Sequence, residues 1–267
     1  MYAFTYHRPA SARQAAGLLA KKEEAKILAG GHTLLPTMKQ RLASPSALID
    51  LGACADLKGI ARKGRTVVIG AMSTHAEVAE SAIVQEAIPA LAYLASHIGD
   101  PHVRHRGTIG GSVANNDPAA DYPAACLALG ATIVTNQRKI TADDFFTGLY
   151  ETALEEGEII TKVIFPLVSK AGYAKFRNPA SRYALVGVFV AKRGSDIRVA
   201  VTGAGEGGVF RWPEAEEALK ARFAPKSLEG LKHTPDGING DIHADAEYRA
   251  HLIGVMTKHA VAQATGK

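Results

Sequence analysis

The residues of this chain best placed to do chemistry are two glycine pairs. The first lies in Ile27-Leu28-Ala29-Gly30-Gly31-His32-Thr33-Leu34-Leu35-Pro36, and the second in Gly107-Thr108-Ile109-Gly110-Gly111-Ser112-Val113-Ala114-Asn115-Asn116. Each is entered from an apolar segment and left through hydroxyl or amide side chains. A glycine pair lets the backbone turn through positive φ and gathers consecutive N–H groups on one concave face, where they hold anionic oxygens without a cationic side chain. Alone, each pair is as readily an ordinary strand-to-helix turn. Together, with Asn115, Asn116 and Asp121 downstream of the second, they point to two loops closing on the two phosphates of a diphosphate, and so to a dinucleotide.

Competing motifs are weaker. Gly203-Ala204-Gly205-Glu206-Gly207-Gly208 satisfies G-x-G-x-x-G after a strand-like segment. Its context fails, because Val209-Phe210-Arg211-Trp212 intervene before Pro213 and no acidic residue follows at the end of a second βα unit. His102 and His105 beside Asp100 have metal-ligand spacing, but Arg104 and Arg106 oppose a divalent ion there and favour a phosphate instead. Glu214, Glu216 and Glu217 read as a solvated first helical turn. No nucleophile, acid–base dyad or metal cluster stands out.

The elements that must position the glycine pairs follow from pattern. The 267 residues, 47% of them hydrophobic, suffice for a large core and more than one domain. Cys54 and Cys126 are the only cysteines, too few and too far apart for a disulfide framework or an iron–sulfur site. The net charge of +5 is scattered, with no basic stripe, so a nucleic-acid partner is not expected. Nothing approaches the roughly 18 apolar residues of a membrane span, and Met1 to Pro9 has no signal-peptide character. A cytoplasmic chain is expected.

Three units emerge. Residues 1–56 read as a helix (Ser11 to Lys22), a strand ending at Leu28, the first glycine turn, a helix from Leu34 to Leu42 and a strand from Ala47 to Leu51. Residues 57–168 open with a hairpin around Lys63-Gly64 and a capping box at Thr74 to Glu77. Helices over Pro89 to Ile98 and Ala119 to Leu129 then flank the second glycine turn, followed by strands Ala131 to Thr135 and Glu158 to Phe165. Residues 172–267 read as three strands (Tyr173 to Arg177, Ala184 to Lys192, Asp196 to Thr202) and two helices (Pro213 to Phe223, Ala246 to Gln263). Strands followed by helices predict an α+β domain with an antiparallel sheet.

Over nearly its whole length the chain resembles the FAD-binding medium subunit of molybdenum hydroxylases, the family that includes carbon monoxide dehydrogenase and xanthine dehydrogenase. The resemblance rests on Ala29 to Pro36, on Arg106 to Ser112 continuing to Asp117-Pro118-Ala119-Ala120-Asp121, and on Asp143-Asp144-Phe145-Phe146-Thr147-Gly148. Glu158-Ile159-Ile160 through Pro166, Lys175-Phe176-Arg177 and Ser181-Arg182-Tyr183-Ala184 extend it.

The resemblance implies an α+β fold of the PCMH/VAO type, in which two N-terminal α/β subdomains clasp FAD and a C-terminal antiparallel sheet-and-helix domain closes over it. Ala29, Gly30, Gly31, His32, Thr33, Leu34 and Leu35, with Thr108, Ile109, Gly110, Gly111 and Ser112, would then hold the diphosphate and ribityl chain. Asn115 and Asp121 would meet polar parts of the cofactor and Ile160 would pack near the ring system. Lys175 or Arg177 would approach the isoalloxazine edge, and Tyr183 would contact the ring. Implied partners are a [2Fe-2S] small subunit and a molybdopterin-binding large subunit, in a dimer of heterotrimers, with an external electron acceptor. A self-sufficient FAD oxidoreductase and a non-catalytic assembly subunit are the alternatives.

Overall fold

A computed structural model describes residues 1–266. In the first unit β1 (Thr5–His7), α1 (Ala12–Leu19), β2 (Lys26–Leu28), α2 (Leu34–Lys39) and β3 (Ala47–Asp50) form a three-stranded parallel sheet in the order β1-β3-β2. The Ser11 hydroxyl caps α1 by accepting from Gln14 N. The first glycine segment therefore leaves the C-terminal end of β2 and enters α2, the end of a parallel strand at which α/β folds present ligands.

The second unit has β4 (Ile60–Lys63), β5 (Thr66–Gly70), α3 (His75–Glu80), α4 (Ala82–Ala87), α5 (Pro89–Ser96), α6 (Pro101–Arg106), α7 (Ile109–Asn115), α8 (Tyr122–Leu129), β6 (Thr132–Thr135), β7 (Lys139–Thr141), α9 (Ala142–Phe145), β8 (Phe146–Gly148), β9 (Glu151–Thr152) and β10 (Ile160–Pro166). Its main sheet runs β4-β5-β10-β6-β7 with every pair antiparallel. The capping box on α3 is present, Thr74 Oγ1 accepting from Glu77 N while the Glu77 carboxylate accepts from Thr74 N.

Two segments depart from the sequence reading. Pro101 to Arg106, to which the sequence pattern assigns no element, forms α6 because Asp100 Oδ1 accepts from Val103 N at 2.9 Å and Pro101 starts the helix without needing a donor. Gly110 and Gly111, expected in a turn of positive φ, lie instead in the first turn of α7 with ordinary negative φ. Thr108 caps that helix through Gly111 N.

The third unit comprises β11 (Lys170–Arg177), β12 (Ala184–Arg193), β13 (Asp196–Thr202), β14 (Phe210–Arg211), α10 (Pro213–Ala221) and α11 (Ala246–Ala264), with an antiparallel sheet in chain order. Both faces of β12 are buried. Val186, Val188 and Val190 join the core under α10 and α11, whereas Phe189 and Ala191 join the core of the second unit. Alternation along a strand thus gives one sheet to two cores. Helix α8 lies between the sheets and is buried all round, as a helix without a polar face must be.

The decoy glycines follow β13. Gly203 and Gly208 have positive φ and Gly205 bridges to Ile238, but the chain continues into β14, and α10 begins only after Trp212. No nucleotide-binding βα turn is formed there.

Candidate functional site

A cavity of about 710 Å³ opens where the three units meet. The first glycine segment forms one wall. Gly31 has φ +75°, a conformation that only glycine adopts without strain, and it bends the chain between β2 and α2. Among the described residues, the N–H groups of Gly30, Gly31, His32, Thr33 and Leu34 have no acceptor in the chain. Five consecutive donors without partners beside a cavity make a cradle for anionic oxygens.

The second segment is built otherwise. Ile109 N donates to Ser73 O at 3.0 Å, Gly110 N to Ala71 O at 2.9 Å and Gly111 N to Thr108 Oγ1 at 3.2 Å. Its glycines serve close approach. A Cβ on Gly110 would overlap Ala71, and one on Gly30 would overlap the Arg106 carbonyl oxygen and lie 2.7 Å from Gly107 Cα. The two glycine segments therefore touch through their backbones, and each glycine there removes a side chain from the seam. What the second segment turns toward the cavity is side-chain chemistry: the Ser112 hydroxyl and Asn115 amide line it with no partner in the chain, as does the Thr33 hydroxyl opposite.

Behind Gly107 sits His75, buried and lining the cavity, with Nδ1 unpartnered. Burial, then the nearby His32 and Arg104, pulls its pKa down to about 4, so the imidazole is neutral near pH 7. Glu158 lines the far side. Its carboxylate is held down to about 2, first by Arg138, whose Nε donates to it at 2.9 Å, and also by Glu155 N and the Thr135 hydroxyl. Sequence reasoning missed both residues. His75 shows only as the residue after a helix cap, and Glu158 only as the start of a strand.

Of the expected site residues, Ala29, Gly30, Gly31, His32, Thr33 and Leu34 line the cavity, and Leu35 lies just behind them against Gly31. Thr108, Gly110, Gly111, Ser112, Asn115, Asp121 and Ile160 also line it, while Ile109 points into the core beneath. Tyr183 reaches the mouth from the β11–β12 loop, half exposed. That loop is tied by Asn178, whose Oδ1 accepts from Ala180 N and Ser181 N, and Arg182 within it has φ +63°.

Neither Lys175 nor Arg177, the two candidates for the isoalloxazine edge, lines the cavity. Arg177 is exposed and stands away from the cavity. Lys175 is buried behind Asp121, with Nζ 2.8 Å and 3.1 Å from its two carboxylate oxygens. Both lie on β11, where residues two apart would share a face, but the register shifts between Phe176 and Arg177, and the pairing with Asp121 holds the Lys175 side chain inward.

The donor set suits a diphosphate-bearing dinucleotide: an unpaired N–H cradle, free hydroxyls and an amide, and apolar walls from Ile98, Ile159 and Ile160. Among the described residues, no group of His, Cys, Asp or Glu is arranged to hold a metal, and His102 and His105 are exposed on α6. No helix among them is long and apolar enough to cross a membrane.

Known proteins agree with this geometry. Residues 2–168 match the family model described as FAD binding domain in molybdopterin dehydrogenase. The nicotine 6-hydroxylase medium subunit of Paenarthrobacter nicotinovorans is 38% identical, covering 98% of this chain and 97% of that one. The carbon monoxide dehydrogenase medium chain of Hydrogenophaga pseudoflava is 36% identical over 97% and 96%. A solved structure of reconstituted CO dehydrogenase from Oligotropha carboxidovorans superimposes with a TM-score of 0.91 at 34% identity, covering 99% of this chain and 98% of that one. The chain therefore belongs to the family of FAD-binding domains in molybdopterin dehydrogenases, oxidoreductases of the molybdenum hydroxylase kind, and FAD is its cofactor.

Proposed function

We propose that this chain is the electron-transfer flavoprotein subunit of a cytoplasmic heterotrimeric molybdenum hydroxylase. It takes electrons from a [2Fe-2S] small subunit, which receives them from substrate oxidised at a molybdopterin-binding large subunit, and passes them to an external acceptor. Six chains, two of each kind, make the complete assembly. The observation that carries the reading is the open N–H cradle of residues 30–34 beside a cavity whose free hydroxyls, amide and apolar walls suit a diphosphate-bearing dinucleotide. Relatives named for nicotine and for carbon monoxide support it, since unlike substrates fit a medium subunit that does not meet them.

FAD supplies one- and two-electron chemistry when bound, and the protein contributes orientation, exposure and electrostatics. Residues 29–35 would hold the diphosphate by their backbone, with Thr33, Thr108 and Ser112 donating hydroxyl hydrogen bonds to it and the ribityl chain. Asn115 and Asp121 would take polar groups of the cofactor. Ile160 would exclude water from one side of the ring site and Tyr183 would cover its mouth. Residues 1–56 and 57–168 would act as the two clasping subdomains, with 172–267 as the closing domain.

The test is rapid-mixing absorbance at the flavin band. The co-expressed complex should bleach on addition of its organic substrate, and the isolated FAD-loaded chain should not. Bleaching of the isolated chain would establish a self-sufficient oxidoreductase instead.

A further inference from the structure

Asp121 is the one carboxylate of the cavity wall that a second domain holds in place. Its Oδ1 accepts from the Tyr173 hydroxyl, and Lys175 Nζ bridges both oxygens and also donates to His97 O at 3.1 Å. The ion pair is almost wholly dry, the side chains of Lys175 and Asp121 being 5% and 4% exposed. The surroundings are built to fit. A Cβ on Gly187 would lie 2.7 Å from the Tyr173 hydroxyl, so the glycine leaves room for that reach. At the end of β13, the Thr202 hydroxyl donates to Pro118 O and Ala120 O and Gly203 N donates to Pro118 O, which anchors the segment leading into Asp121.

We propose that Lys175 is a positioning residue for the flavin's redox poise: it acts through Asp121, a carboxylate of the cavity wall, cancelling its charge within this dry ion pair. This inference rests on the reading of the cavity as the FAD site and adds the reason for a buried cation behind its wall. In a low-dielectric surrounding, an uncompensated carboxylate opposes the arrival of electrons on a nearby ring, and an uncompensated ammonium favours it. Paired, the two add almost no net charge to that wall of the cavity, so the flavin remains a competent acceptor.

The groups that face the pair are few. Helix α5 contributes Tyr93 and the His97 carbonyl, α8 contributes Tyr122 with Cys126 beside it, β11 contributes Tyr173, and Tyr183 and Asp117 stand at the mouth. Burial first, and then Asp121, pushes the hydroxyls of Tyr122 and Tyr173 well above the usual phenol range, and burial pushes the Cys126 thiol up. None of these three takes a charge below pH 9.

The experiment is a spectroelectrochemical titration of the FAD-loaded chain at pH 7 and at pH 9. At fixed potential, Lys175→Met should raise the oxidised-to-reduced ratio about tenfold at pH 9, and Asp121→Asn should lower it by roughly as much at pH 7. The double variant should return to within about twofold of the parent. Opposite signs and mutual cancellation are outcomes that loss of packing would not give. Parental potentials in both single variants, with flavin bound, would overturn the proposal, and if Lys175→Met fails to fold, Asp121→Asn against the double variant decides it. Failure of the parent chain to bind FAD would instead overturn the site assignment.

Discussion

The two glycine segments look alike in sequence and do different physical work. Residues 30–34 keep their N–H groups free and turn at a glycine of positive φ, so that wall of the cavity is backbone. In the second segment Ile109 and Gly110 spend their N–H groups on Ser73 O and Ala71 O just past β5, and Gly111 spends its own on the Thr108 hydroxyl, so that wall presents hydroxyl and amide side chains. The difference teaches that a glycine pair marks close approach of backbone to something. Whether the something is a phosphate or another strand of the same protein depends on what is packed behind it.

The strongest way to break this comparison is at the seam. A methyl at Gly30 meets the backbone of Arg106 and Gly107, which cannot yield by changing rotamer. Gly30→Ala should cost about 3 kcal/mol and abolish FAD binding, read by chemical denaturation and flavin titration. A stable variant with parental affinity would show that the two segments need not touch.

Next in size is the group behind the second segment alone. Between the ordinary imidazole value and about 4, the unfolded chain binds a proton at His75 that the folded chain refuses. Stability should therefore be unaffected by this group above that window and fall as pH drops through it, by about 1.5 kcal/mol between pH 6.5 and 5. Urea unfolding of the parent and of His75→Leu across this range measures it. Parallel pH profiles would mean that the His75 site accepts charge.

The smallest effects sharpen the contrast most. Gly31→Ala forces a side chain to φ +75° and places its Cβ 2.9 Å from Leu35 Cδ1, so about 1–2 kcal/mol and roughly tenfold in FAD affinity should be lost. Gly111→Ala keeps helical φ and meets only the Thr108 hydroxyl at 3.0 Å, a contact that the gain in helix propensity of about 1 kcal/mol offsets, leaving affinity within about threefold. Gly207→Ala, in the decoy motif, has open space around it and should change neither quantity. Equal losses at Gly31 and Gly111 would erase the distinction between the two walls.

Local pattern determined a good deal on its own. Three of the four strands of the C-terminal sheet, the capped start of α3 and the long α11 were legible because alternation, helical spacing and capping chemistry act over a few residues. So was the site's location, since glycines and free hydroxyls after apolar segments are a local signature. The resemblance to a known family supplied the cofactor. Tertiary structure decided the rest. Gly110 entered a helix because Ser73 and Ala71 offered acceptors to the first N–H groups of α7, and Lys175 stays off the cavity because Asp121, far away in sequence, stands in the wall and holds its ammonium from behind. In each case the deciding partner lies on another element, and the free energy of pairing a buried donor or charge exceeds any preference a short stretch of chain can encode.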